Sequence, residues 1–148
     1  MSVNTDLRQQ EIIREFSEIA EWEDRYRQLI QLGRSLPPYP EEHRTEDFKV
    51  KGCQAQVWLH PALTPEGRVC FDADSDAALV RGLVALVLRV YSDATPREVI
   101  DAEPTFVREI GLADHLSPTR ANGLAAMIRQ IKLYGVAYQS MLDAKRKV

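Results

Sequence analysis

The residue whose type and setting best suit covalent chemistry is Cys53. It follows Gly52 at the mouth of an alternating, strand-like segment, where the backbone can turn and present a side chain. Lys49 and Lys51 stand just before it, and nearby cations favour the thiolate, the nucleophilic form of cysteine. The competing reading is a small buried hydrophobe, since free cysteine is often fully buried. Cys70 lies between Val69 and Phe71 in a second alternating run and faces away from both, so it reads as filler. The two cysteines are separated by 16 residues, with no CxxC pair. A zinc ribbon or a thioredoxin-type dithiol therefore has no foothold, and in an intracellular chain the pair reads as two free thiols.

A base for Cys53 would have to come from His43, His60 or His115. His43 falls in a charged loop, His60 ends an alternating run and reads as exposed, and His115 precedes a helix start. None carries the local signature of a cysteine hydrolase, and no spacing of ligands points to a metal. Arg120 is more informative. It falls at about the third position of a predicted helix, where the helix dipole disfavours a cation. A local rule broken there asks for a compensating anion. Asp74, Asp76, a partner's carboxylate and the Cys53 thiolate are the candidates, and an exposed, solvent-screened arginine is the plain alternative.

The elements that must position these residues emerge from periodicity. Ile12, Phe16 and Ile19 share one helix face, and Trp22, Tyr26 and Leu29 repeat the pattern before Gly33, which reads as the residue that stops the helix in a left-handed turn. Leu36-Pro37-Pro38-Tyr39-Pro40 cannot continue a helix. The period then becomes two: Ala55, Val57 and Leu59 share a face, as do Val69, Phe71 and Ala73, with a Pro61–Gly67 hairpin connection between. Phe48 and Val50 would supply a third short strand.

Asp74-Ser75-Asp76 reads as the cap of a buried helix running from Ala77 to about Tyr91, in which Gly82 implies the close approach of another element. Thr95-Pro96-Arg97-Glu98 reads as a capping box. A last helix starts at Ser117-Pro118, with an apolar stripe through Ala121, Leu124, Ile128, Ile131, Gly135, Tyr138 and Leu142.

Composition sets the frame. The chain has 148 residues, 45% hydrophobic and 28% charged, which fits one globular domain over 1–148 with its own core. Its net charge of -3 provides no basic field for nucleic acid. Met1–Asp6 has neither a basic nor an apolar signal region, and the apolar stretch from Leu79 to Tyr91 is too short to span a bilayer and contains Arg81 and Arg89. A cytoplasmic protein with no membrane partner is the expectation.

Taken together the motifs resemble the SufE family of sulfur acceptors. Val50-Lys51-Gly52-Cys53-Gln54-Ala55-Gln56-Val57-Trp58 is similar to that family's G-C-Q-S-Q-V-W signature. Trp22-Glu23, Tyr26, Leu32-Gly33 and Leu36-Pro37 match the family's approach to the signature. Asp74-Ser75-Asp76-Ala77 with Gly82 and Leu83 matches its D-S-D-A stretch and buried helix, and His115-Leu116-Ser117-Pro118 with Arg120 and Gly123-Leu124 matches its final block. Ala55 departs from the pattern, standing where the family usually carries serine.

The resemblance implies an α+β fold, a small three-stranded antiparallel sheet with helices mainly on one face, similar to the IscU-type scaffold. It implies that Cys53 accepts a persulfide sulfur, with Gly52, Gln54, Asp74 and Arg120 as loop and supporting residues. The implied partners are a SufS- or CsdA-type cysteine desulfurase, which carries the pyridoxal phosphate, and a downstream iron–sulfur assembly scaffold. This chain would hold no cofactor or metal, would act as an accessory sulfurtransferase rather than a free-standing enzyme, and has homodimerisation as a further option. Two other readings compete: a non-covalent adaptor that modulates a desulfurase, and an IscU-like metal-cluster scaffold, for which only Cys53 is well placed.

Overall fold

A computed structural model describes residues 3–146. The chain runs α1 (Val3–Ser17), α2 (Trp22–Arg34), β1 (Val57–Leu63), β2 (Val69–Ser75), α3 (Ala78–Tyr91), α4 (Pro96–Asp101), α5 (Thr105–Glu109), α6 (Leu112–His115) and α7 (Pro118–Arg146). Short 3-10 turns at Glu41–His43 and Glu46–Phe48 precede β1. The fold class is α+β.

The sheet among the described residues has two antiparallel strands, not three, with Val57 opposite Ser75 and Leu63 opposite Val69. The expected third strand fails for a local reason. Phe48 ends a 3-10 turn and Gly52 turns the chain at φ +93°, so only Lys49 and Val50 lie extended between them. What remains is a bridge between Lys49 and Trp58, with the Val50 N–H donating to the Val57 carbonyl at 2.9 Å. β1 also begins later than its alternation implies, which leaves Gln54–Gln56 as loop.

α3 is apolar on most sides because it is the central buried helix. Leu83, Val84, Leu86, Val87, Val90 and Tyr91 are buried, and it packs on β2, where Val69, Phe71, Ala73 and Ser75 point inward. The opposite side of β1 is covered by the 3-10 segment. His60 stacks on His43 with centroids 3.6 Å apart, Phe48 meets both edge-on, and the Arg44 guanidinium lies 4.7 Å from the Trp58 ring centre. His60 is thus half-buried rather than exposed, and burial lowers its pKa.

The approach implied by Gly82 comes from α2. A β-carbon at Gly82 would lie 2.1 Å from the Leu29 carbonyl oxygen, and one at Gly33 would lie 2.7 Å from the Gly82 nitrogen. Gly33 is therefore a packing glycine inside α2 and not a left-handed stop. The helix ends one residue later, with the Ser35 N–H turned back onto the Leu32 carbonyl and the Leu36 N–H onto that of Gly33.

Asp74-Ser75-Asp76 does not cap α3, whose N-cap is Ala77 with no side-chain bond. Thr95 and Glu98 do form the capping box that opens α4. α5 and α6 are too short, at five and four residues, to show a helical period in the sequence.

Two long cations close helix ends that would otherwise be orphaned. Arg8 of α1 donates to the carbonyls of Val90, Ser92 and Asp93 at the end of α3. Lys132 of α7 donates to Ile100 and Ala102 at 2.7 Å and to Val99 at 3.4 Å, closing α4. α7, 29 residues and about 44 Å long, is thereby locked along the body, with Leu124, Ile128, Ile131 and Gly135 buried. Its first two turns face the Cys53 loop. No helix among the described residues is long and apolar enough to cross a membrane.

Candidate functional site

The loop 51–56 is a short excursion pinned at both ends. At its base the Val50 N–H reaches the Val57 carbonyl. At its far end Asp76 takes the Gln56 N–H on its carboxylate at 3.0 Å, while the Asp76 N–H donates to the Gln56 carbonyl at 3.2 Å. Asp76 is therefore a loop clasp, which is why its oxygen is not spent on capping α3. Gly52 holds a left-handed conformation that side-chain-bearing residues adopt only at a cost, and a β-carbon there would meet that of Ala126 at 3.2 Å.

Between these ends Cys53 points inward onto α7. Its Sγ lies 3.4 Å from the Gly123 carbonyl oxygen, to which the thiol donates. Gly123 forms the seat: a β-carbon there would touch the sulfur at 3.5 Å, an ordinary contact, and only a longer side chain would occupy its place. The thiol is half-buried, and burial pushes its pKa above the ordinary value. The proximity of Lys49 and Lys51 in sequence does not offset this. Lys49 is engaged with Glu46 at 2.8 Å and Lys51 is exposed. With the loop folded in, burial favours the neutral thiol over the thiolate.

The sulfur opens into a cavity of about 350 Å³. Its polar side is formed by Gln54, Asp76, Thr119 and Arg120, and its apolar side by Val80, Leu83, Leu124 and Met127. Of the residues singled out in the sequence, Cys53, Gln54, Asp76 and Arg120 line this space, and Gly52 turns the loop beside it. Asp74 does not line it. That carboxylate instead joins Arg44 at 3.0 Å to Arg81 at 3.1 Å, tying β2 to the 3-10 segment and to α3.

Arg120 is exposed, its N–H donates to the Ser117 hydroxyl at 3.3 Å, and its guanidinium has no ion pair among the described residues. Asp76 is the carboxylate that shares its cavity. None of the three histidines lines the cavity, so no imidazole stands ready as a base for Cys53. His115 stacks on Trp22 at 3.8 Å. The seat at Gly123 is not evident from sequence, although a glycine three residues into the helix from Arg120 invites the close-approach argument that holds for Gly82.

Among the described residues no group of three or more His, Cys, Asp or Glu is arranged to hold a metal ion. Among the described residues, the thiol and carboxylate that line the cavity are those of Cys53 and Asp76.

Fold and site together define an α+β domain that shelters one thiol under a pinned loop, against the first turns of its longest helix. The family model described as SufE, Fe-S metabolism associated domain, matches residues 10–134, and the chain belongs to this family. An uncharacterized SufE-like protein of Rhizobium meliloti (strain 1021) is 49% identical over 127 residues, covering 82% of this chain and 90% of that protein. The solution structure of a hypothetical protein from Thermus thermophilus has the same fold, with a TM-score of 0.75 and 21% identity, covering 90% of this chain and 96% of that one.

Proposed function

We propose that this protein accepts a sulfane sulfur from the persulfide of a SufS-type cysteine desulfurase onto Cys53, stimulates that enzyme, and passes the sulfur to iron–sulfur cluster assembly. The observation that carries this reading is the Cys53 sulfur seated in the Gly123 notch and facing a cavity with room for further atoms. In the step itself the Cys53 thiolate attacks the outer sulfur of the donor persulfide. A new S–S bond forms on Cys53, the donor's S–S bond breaks, and its electron pair leaves on the donor cysteine as thiolate. No net oxidation occurs.

The folded-in loop accounts for both ends of this exchange. Before transfer, burial raises the pKa of Cys53 and so disfavours the reactive thiolate. Docking must therefore draw the loop out into water, or supply a cation, for the thiolate to form. After transfer the product is a persulfide, a stronger acid than the thiol it replaces, and so carries negative charge at neutral pH. Arg120, without an ion pair in the same cavity, supplies the compensating charge. The surrounding apolar wall limits access of small thiols that would strip the sulfur.

The test is stimulation of cysteine turnover by the desulfurase. Cys53→Ser is expected to fold normally, bind the enzyme and give no stimulation. Full stimulation by that variant would make the protein a non-covalent adaptor instead.

A further inference from the structure

A second concavity, about 500 Å³, lies on the far side of Leu124, the residue that lines both it and the thiol cavity. Its floor is apolar, formed by Val107 of α5, Leu116, and Ala121, Leu124, Ala125 and Ile128 of α7. Its rim is basic: Arg108, Arg129 and Lys132. The whole chain has 22 acidic and 19 basic residues, yet among the described residues no carboxylate lines this groove.

The rim charges are not equivalent. Lys132 is consumed by the carbonyls that end α4. Arg129 is exposed with no ion pair among the described residues, and the carboxylate paired with Arg108 is Glu109 at 3.8 Å, with 78% of the arginine side chain exposed. Two arginines thus flank an apolar floor with their charge available. The floor tracks α7 from Ala121 to Lys132, about 16 Å, the length of three helical turns. That length suits a polypeptide segment better than a compact molecule, and its apolar positions recur at the three-to-four spacing that receives a partner helix.

We propose that this groove is the docking seat for an amphipathic, acid-flanked helical segment of the protein that exchanges sulfur with Cys53. The inference rests on the sulfur-acceptor reading for the identity of that protein. Charge complementarity selects an acidic occupant, and the shared Leu124 wall sets the groove directly beside the thiol cavity. A segment lying there brings the donor's adjoining surface over the Cys53 loop while leaving the loop itself free to move. Rim arginines in such an arrangement govern encounter rate and salt dependence, and the apolar floor governs residence time.

The test uses a purified SufS-type desulfurase, titrated with the wild-type chain, R108E/R129E and R108K/R129K at low and high salt. Reaction of Cys53 with inorganic polysulfide is monitored in parallel. The charge reversal is expected to weaken binding by about tenfold or more and to flatten the salt dependence. The lysine pair should retain most of the affinity, and polysulfide should load Cys53 equally in all three. Unchanged affinity in R108E/R129E overturns the proposal. So does a wild-type self-association abolished by the same reversal, which would assign the groove to a second copy. If binding depends on the arginines but Cys53 never acquires sulfur from the desulfurase, the docking seat stands and the acceptor reading falls.

Discussion

The Cys53 sulfur lies 3.4 Å from the Gly123 carbonyl oxygen, and this contact is where the loop and the long helix meet. A β-carbon at position 123 would sit 3.5 Å from that sulfur, an ordinary contact distance. Gly123→Ala should therefore fold with the thiol still seated and gain up to about 1 kcal/mol of helix stability. Gly123→Leu places a branched side chain in the notch and should expel the loop. Its Cys53 should alkylate roughly tenfold faster or more, the counterpart of about 1.4 kcal/mol of lost seating. Melting curves and iodoacetamide kinetics separate the two variants.

Gly52 controls the same loop from its other side. With φ at +93° and a β-carbon only 3.2 Å from that of Ala126, Gly52→Ala cannot hold the observed turn without strain. Left-handed backbone costs an ordinary residue about 1–2 kcal/mol. Because the loop is at the surface, the strain should be relieved by local opening rather than global unfolding. Amide exchange over residues 50–56 should accelerate while that of α3 stays unchanged.

The burial of Cys53 has a pH consequence whose sign is fixed. The folded state holds the thiol proton more tightly than the unfolded chain does, because burial raises the pKa. As pH climbs through the ordinary thiol range the unfolded state loses its proton first, so stability falls over the window between the two pKa values. Cys53→Ser should lack this alkaline decline. The alkylation profile of the wild type should likewise be displaced to higher pH than that of a small free thiol. Denaturant titrations across the alkaline range, on both proteins, measure the difference.

Much of the positioning framework is legible in residue patterns, and the exceptions share a cause. Gly82 announces a close approach, and Thr95 with Glu98 announces a cap, because each signal is local and has one structural use. Gly33 and Asp76 look locally like a helix stop and a helix cap, and they are neither. Their real partners, Gly82 and Gln56, are 49 and 20 positions away in the chain, where local rules do not reach. The third strand fails because β-alternation at Phe48 and Val50 ignores the turn at Gly52. For the site, Cys53 and Arg120 stand out by type and setting. The electrostatic expectation for Cys53 has the wrong sign, since neighbouring lysines are visible in sequence and burial is not.

Lys132 offers a test of how α7 is held in place. Its ammonium group serves three carbonyls at the end of α4, and burial lowers its pKa. Lys132→Met fills the space but removes the ammonium donor from the Val99 and Ile100 carbonyls, leaving Ala102 with the Tyr91 hydroxyl, and should destabilise the protein by about 1–3 kcal/mol. Chemical denaturation should show the loss, with faster amide exchange in α4. Loading of Cys53 by inorganic polysulfide at low temperature should persist, because Gly123 and the Cys53 loop lie nine residues nearer the start of α7.

In the proposed exchange, sulfur arrives covalently on one particular thiol. Intact-mass analysis of the chain after incubation with a SufS-type desulfurase and free cysteine tests it most directly. The expected product carries a single added sulfur atom, removable by dithiothreitol, mapped to the peptide holding Cys53 and missing in Cys53→Ser. An unmodified chain under conditions where it stimulates the desulfurase, or sulfur found on Cys70 alone, would contradict it.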